Sequence, residues 1–248
     1  MERWRNRVAV VTGGSSGIGA AILTDLAEAG VTVVGLSRHP DCIRTFDLTP
    51  EARSRVHPIQ CDVTNEEVVK TTFKWIDDNL GGIDILVNSA GVVYQGELTD
   101  PNLTRQIRET LDVQIMGTLF CTREAFQSMK RRNFDGHVIN INSIEGHNVV
   151  NLLEFITTFF TSYAASKFAL TAMHETYRQE FANAGTKVKV SSVSAGMTNT
   201  PIGGYLVGNY DMPILNPKDV SNAVLYCLGT PPHVQVHELI IKPIGEVF

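Results

Sequence analysis

The sequence predicts an α/β fold: one domain, residues 1–248, built on a doubly wound parallel sheet of about seven strands flanked by helices. Three observations predict it. Short apolar runs recur along the chain, most of them followed by an amphipathic segment, which is the pattern of βαβ units. The first run ends directly in Gly13-Gly14-Ser15-Ser16-Gly17-Ile18-Gly19, a glycine turn between strand and helix. At 248 residues and 43% hydrophobic, the chain can bury one substantial core, and no linker or repeat divides it.

Residues 7–12 read as the first strand and 20–29 as a helix that closes at Gly30. Residues 31–36 read as the second strand and 57–60 as the third, which ends at Cys61-Asp62-Val63. A helix follows over 65–79. The fourth strand, 83–87, runs into Asn88-Ser89-Ala90-Gly91, and one long helix is expected over 103–130. Residues 138–141 read as the fifth strand, followed by Ser143. The helix bearing Tyr163 runs to about 184. The sixth strand covers 187–193, a helix 217–227, and the last strand 238–241.

Composition narrows the function classes. A net charge of −5 argues against general nucleic-acid binding. Mean hydropathy is zero, and no apolar run approaches the ~20 residues that span a bilayer. The basic start leads into a strand too short for a signal-peptide core. Cys42, Cys61, Cys121 and Cys227 are scattered, without disulfide-framework or zinc spacing, so reduced thiols and a cytoplasmic location are expected, with no metal site.

Strand, glycine turn and helix together form the context of a phosphate site. Gly13 permits the tight turn, Gly17 lets the backbone approach a pyrophosphate, and Gly19 lets the helix pack closely. The first N–H groups of the helix and its dipole then face the phosphates. The spacing is G-x-x-x-G-x-G, and a purely structural turn is the bland alternative. Just after the second strand, NAD sites of this kind carry a carboxylate for the ribose 2′-hydroxyl. This chain instead reads Leu36-Ser37-Arg38-His39, with no acid and a guanidinium suited to a 2′-phosphate, which favours NADP(H) over NAD(H). Asp62 can accept from an adenine amino group, form an Asx turn, or do both.

Tyr163 and Lys167, in Tyr-Ala-Ala-Ser-Lys, share one face of a helix. A phenol titrates near pH ~10, and an ammonium beside it favours the phenolate. The pair is suited to proton transfer where a carbonyl and an alcohol interconvert. A surface tyrosine beside a solvated lysine has the same spacing.

In order and spacing, Thr12-Gly13-x-x-x-Gly17-x-Gly19, Asp62, Asn88-Ser89-Ala90-Gly91, Ser143, Tyr163-x-x-x-Lys167 and the Ala195-Gly196 turn with Thr200 resemble the short-chain dehydrogenase/reductase family. The resemblance covers nearly the whole chain. Residues 81–88, 121–125 and 237–243 look similar to farnesol dehydrogenase-like members of insects, and also to vertebrate reductases of ketosteroids and other carbonyls. It implies a Rossmann fold in which Tyr163 is the general acid/base. Lys167 would lower its pKa and hold the nicotinamide ribose, and Ser143 would bond the substrate oxygen. It also implies cofactor contacts from Ser15, Ser16, Ile18, Ser37, Val63, Ala90, Gly91 and Thr198, beside the glycines, Arg38 and Asp62. Asn88 would support the fold and line the adenosine side. Thr200 and the backbone after Gly196 would position the nicotinamide carboxamide.

Three positions depart from the family pattern. Gln114, three residues before Gly117, stands where the family has an asparagine that organises a water chain to the lysine. Its amide has the same donors and acceptor one methylene further out. Ala195 replaces a usual proline, which predicts a looser nicotinamide-side loop. Ser89 replaces a second asparagine, which predicts the loss of a hydrogen bond within the fold.

Two segments would wall a substrate, at about 144–162 and 197–216. The first carries Val149, Val150, Leu152, Leu153, Phe155, Ile156, Phe159 and Phe160, which suits an apolar substrate, a subunit contact or plain core alike. The second mixes Gly203, Gly204 and Gly208 with Tyr205, Leu206 and Tyr210, as in a lid or an ordinary surface loop. Glu145 and His147 read as solvated loop residues, the alternative being contact with a polar end of the substrate.

The chain therefore reads as an NADP(H)-dependent oxidoreductase moving a hydride between the nicotinamide and an apolar alcohol or carbonyl compound, with farnesol or a similar isoprenoid alcohol suggested by the resemblance. Gln114 and Ala195 leave open a weakly active or inactive NADP(H)-binding sensor or scaffold. Epimerisation or dehydration would need an extra acid or base beside Tyr163, for which His147 is the visible candidate. The resemblance implies a homodimer or homotetramer assembled through the long helix and the Tyr163 helix.

Overall fold

Val8–Thr12 (β1) is buried along its whole length, and its alternate side chains serve two separate cores. Ala9 and Val11 point to one face of the sheet, Val8 and Val10 to the other. Strands buried on both faces are near-continuous apolar runs, as this one is. The computed structural model describes residues 1–149, 161–203 and 213–246. Most of the apolar segment after Val149 (150–160) and the glycine-rich stretch 204–212 therefore lie outside the described residues.

The strands are β1, Thr32–Ser37 (β2), Val56–Gln60 (β3), Ile85–Asn88 (β4), His137–Ser143 (β5), Lys189–Ala195 (β6) and Glu238–Ile241 (β7). They form one parallel sheet in the order β3-β2-β1-β4-β5-β6-β7. The chain steps outward from β1 to β3, then returns to lay β4 on the other side of β1. The loops after β1 and β4 therefore diverge at a switch point, which is where such sheets leave a crevice beyond their carboxyl ends.

Helices cover both faces. Gly17–Glu28 (α1) and Pro217–Gly229 (α8) bury Ile22, Leu23, Leu26, Val220 and Val224 against the first face. Glu66–Leu80 (α4), Thr118–Arg131 (α6) and Thr161–Asn183 (α7) bury Phe73, Ile76, Met129 and Phe181 on the second. Each such side chain contributes about 1.5–3 kcal/mol relative to exposure. Local chemistry sets the ends. The Asn65 side chain accepts from the N–H groups of Glu67 and Val68 at 3.1 and 3.2 Å to start α4, and Gly81, at φ 83°, ends it.

Two short helices, Asp41–Arg44 (α2) and Pro50–Arg53 (α3), are too brief to leave a periodic signal in the sequence. The helix expected over 103–130 is Thr104–Leu111 (α5), a wide π-helical turn at Asp112–Gly117, and then α6. Gly117 lets this turn meet the β3–α4 loop, since a Cβ there would stand 2.8 Å from Val63 Cγ2. Such turns cluster at functional sites, and this one carries Gln114. No helix among the described residues is long and apolar enough to cross a membrane.

Candidate active site

Beyond the carboxyl ends of β1 to β6 lies a cavity of about 380 Å³. Every residue singled out above for cofactor or chemistry lines it except Asn88, Gln114 and His147. At one end stands the glycine turn. Gly13 has φ 66°, a region that favours glycine, and a Cβ there would sit 2.9 Å from Ala90 Cα. A Cβ on Gly19 would stand 2.3 Å from the Gly13 carbonyl oxygen, so α1 begins hard against the strand end. Ser16, the residue before α1, makes no side-chain cap, and Ile18 and Gly19 border the cavity. The first turn of α1 thus offers N–H groups and a positive dipole end to an anion. Thr12 Oγ1 accepts from the N–H groups of Ser89 and Ala90, both at 3.0 Å, and locks the two diverging loops together. A cradle in which side chains would collide, at a helix N-terminus, fits a dinucleotide phosphate.

At the ends of β2 and β3 the Ser37 hydroxyl donates to Ser15 Oγ at 2.8 Å, and the His39 N–H donates to Ser37 Oγ at 3.0 Å. Arg38 lines the cavity with half its side chain in solvent, 3.7 Å from Glu109 of α5. Asp62 also lines the cavity while its Oδ1 accepts from the Thr64 N–H and hydroxyl, so the Asx turn and the cavity position hold together.

The opposite end is built from β5 and α7. Ser143 closes β5. Its Oγ accepts from the Glu145 N–H at 3.2 Å, and its hydroxyl hydrogen-bonds Tyr163. Lys167 is buried, its Nζ donating to the Ile141 carbonyl at 2.9 Å and lying 5.3 Å from the Tyr163 ring centroid. Burial pushes the Tyr163 phenol well above its ordinary pKa. The nearby Glu145 carboxyl adds to that rise, and the Ser143 hydrogen bond opposes it. Burial brings Lys167 down to about 8, with Glu145 pulling it back up. The protein surroundings thus work against the phenolate, and Ser143 is the group that draws it down.

Gln114 and Asn88 lie behind the cavity. Gln114 Oε1 accepts from the Val92 N–H at 3.2 Å, and its Nε2 donates to Ser166 Oγ at 2.9 Å. Ser166 in turn donates to the Tyr163 carbonyl at 2.6 Å. The glutamine amide is therefore committed to holding the loop after β4 and the backbone of α7, rather than reaching Lys167. Asn88 is buried in β4 and donates from Nδ2 to Thr122 Oγ1 and Asn140 Oδ1, both at 2.9 Å, tying the sheet to α6.

The loop after β6 is well tied despite Ala195. Ala195 pairs in register with Ser143 on one side and Ile241 on the other, and the Gly196 N–H donates to the Ile241 carbonyl at 2.8 Å. Met197 and Asn199 exchange backbone bonds with Leu215, and Thr198 Oγ1 donates to the Gly196 carbonyl at 2.9 Å. Two residues depart from their sequence reading. His147 faces Glu238 Oε1 at 2.8 Å and Ser194 Oγ at 3.1 Å, and is not among the cavity's lining residues. Glu145, read as solvated, lines the cavity beside Tyr163 and Lys167, and burial lifts its carboxyl to about 7. No local pattern announces it, because its burial comes from the packing of its turn on α7.

A parallel doubly wound sheet, a phosphate-ready glycine turn and a serine, tyrosine and lysine gathered across one cavity define a nicotinamide-dependent oxidoreductase. The chain belongs to the short chain dehydrogenase family, whose model matches residues 7–210. It is 47% identical over its whole length to the full farnesol dehydrogenase of Aedes aegypti. It is 38% identical to human dehydrogenase/reductase SDR family member 11, with 100% of this chain and 98% of that protein covered. Among solved structures, a short-chain type dehydrogenase/reductase from Mycobacterium marinum superposes with a TM-score of 0.85 at 25% identity, over 96% of this chain and 95% of that one.

Proposed function

We propose that this protein is an NADP(H)-dependent alcohol dehydrogenase or carbonyl reductase acting on an apolar alcohol/carbonyl pair, an isoprenoid alcohol such as farnesol being the first candidate. The observation that carries the reading is the meeting of Ser143, Tyr163 and Lys167 at one end of a cavity whose other end is the glycine turn. The nicotinamide, when bound, supplies or accepts the hydride. Tyr163 Oη gives a proton to the oxygen of a carbonyl being reduced, or takes one from an alcohol being oxidised. Ser143, already hydrogen-bonded to Tyr163, holds that oxygen and steadies developing charge. Lys167, anchored on the Ile141 carbonyl, keeps a positive charge beside the phenol below about pH 8.

The NADP(H) preference rests on Arg38 and on the hydroxyls of Ser15 and Ser37 beside it, a set suited to a 2′-phosphate that competes with Glu109 for the guanidinium. The substrate class rests on the Aedes aegypti relative. A homo-oligomeric, cytoplasmic enzyme completes the proposal. Nicotinamide absorbance, followed with NADP⁺ or NAD⁺ over a panel of alcohols including farnesol, tests it beside Tyr163→Phe. Turnover with NADP⁺ that vanishes in the variant is the expected result. Tight NADP(H) binding without turnover on any alcohol or carbonyl would replace it by the sensor reading.

A further inference from the structure

Glu145 lines the same end of the cavity as Ser143, Tyr163 and Lys167. The single turn Ile144–Gly146 follows Ser143, whose Oγ accepts the Glu145 N–H. Gly146 then packs on α7 so closely that a Cβ there would stand 2.7 Å from Asn142 Nδ2 and 2.9 Å from the Lys167 carbonyl oxygen. Thr171 Oγ1 donates to the Gly146 carbonyl at 3.0 Å. This packing fixes the backbone of the turn, and Glu145 lines the cavity with Ser143, Tyr163 and Lys167. Among the described residues, the ionisable groups that face it are Tyr163 and Lys167, both from α7, and the Ser143 hydroxyl from β5 lines the same end of the cavity. The cavity's other ionisable residues, Arg38, His39, Cys61 and Asp62, stand at the ends of β2 and β3, with β1 and β4 intervening.

We propose that Glu145 is a positioning residue for the catalytic proton: its carboxylate, sharing one end of the cavity with Tyr163 and Lys167, disfavours a second negative charge on Tyr163 Oη and so sets the pH above which that phenol can take the proton of an alcohol. A negative charge beside a phenol opposes a second negative charge, and the effect is large where water is scarce. The same carboxylate keeps the buried Lys167 charged, so the site carries a near-neutral pair with the phenol left whole. This inference rests on the oxidoreductase reading for its consequence, but not for its measurement.

The test is an ultraviolet titration of tyrosinate in cofactor-loaded wild type and Glu145→Gln, with Tyr163→Phe as the subtraction. The pH profile of alcohol oxidation is recorded for the first two. The Tyr163 midpoint is expected to fall in Glu145→Gln by about one pH unit, and the rising limb of oxidation to move the same way. Glu145→Ala serves as a second variant and should shift in the same sense. An unchanged or raised midpoint in both variants would overturn the proposal, whatever the turnover. A lowered midpoint in a protein that turns over no substrate would uphold it and retire the oxidoreductase reading instead.

Discussion

The two ends of the cavity are made in opposite ways. At the glycine turn the structure works by leaving side chains out: Gly13 and Gly19 would each place a Cβ within 3 Å of backbone, and the ligand groups on offer are N–H groups of the chain itself. At the β5–α7 end the structure works by crowding side chains in, with a half-buried phenol and carboxyl gathered beside a buried ammonium. The first end is suited to binding, and its turn, residues 13–19, carries no ionisable side chain. The second holds groups whose charges burial opposes, and it trades stability for proton chemistry.

Breaking the second end should leave the first intact. Tyr163→Phe should lower kcat by about 10³-fold, the scale of general acid–base catalysis, with nucleotide affinity unchanged in a binding titration. Breaking the first end should do the reverse. Gly19→Ala drives a Cβ to 2.3 Å from the Gly13 oxygen, so nucleotide binding should be lost. Stability should fall by about 1–3 kcal/mol in urea unfolding. Arg38→Ala sharpens the cofactor claim. It removes charge-assisted bonds to a 2′-phosphate, so affinity for NADP(H) should drop about tenfold or more while that for NAD(H) holds, as read by fluorescence titration.

The smallest effect concerns stability against pH. Glu145 titrates near 7 in the folded protein against an ordinary 4.5, so between those values the folded state holds more protons than the unfolded one. Its contribution to stability therefore falls as pH rises through that window. Lys167 titrates near 8 against 10.5, so above pH 8 the unfolded state holds more protons and the contribution recovers. Together they contribute least between pH 7 and 8. Glu145→Gln should raise Tm by a few degrees at pH 8 and hardly at all at pH 4. An equal shift at both would remove the carboxylate from the argument.

What the sequence made legible follows the same division. The glycine turn could be read because backbone demands leave a residue-type trace at fixed spacing, and Tyr163 with Lys167 because one helix carries both. The parallel sheet and most helices followed from hydrophobic alternation. The hydrogen bond from Gln114 to Ser166 joins residues 52 apart, and the burial of Asn88 between β5 and α6 is likewise a tertiary matter. The wide turn at Asp112–Gly117 keeps helical periodicity and so hides inside a helix prediction. Glu145 was unreadable for a related reason: a glutamate in a loop is ordinarily solvated, and it is the packing of its turn on α7 that brings this one to the cavity wall.

The most direct test of the division is a paired measurement on Tyr163→Phe: NADPH affinity by fluorescence titration, and turnover by nicotinamide absorbance on the best alcohol found for the wild type. Wild-type affinity with turnover reduced to the background rate is the predicted result. Turnover that survives, or affinity that collapses with it, would contradict the separation of binding and chemistry between the two ends of the cavity.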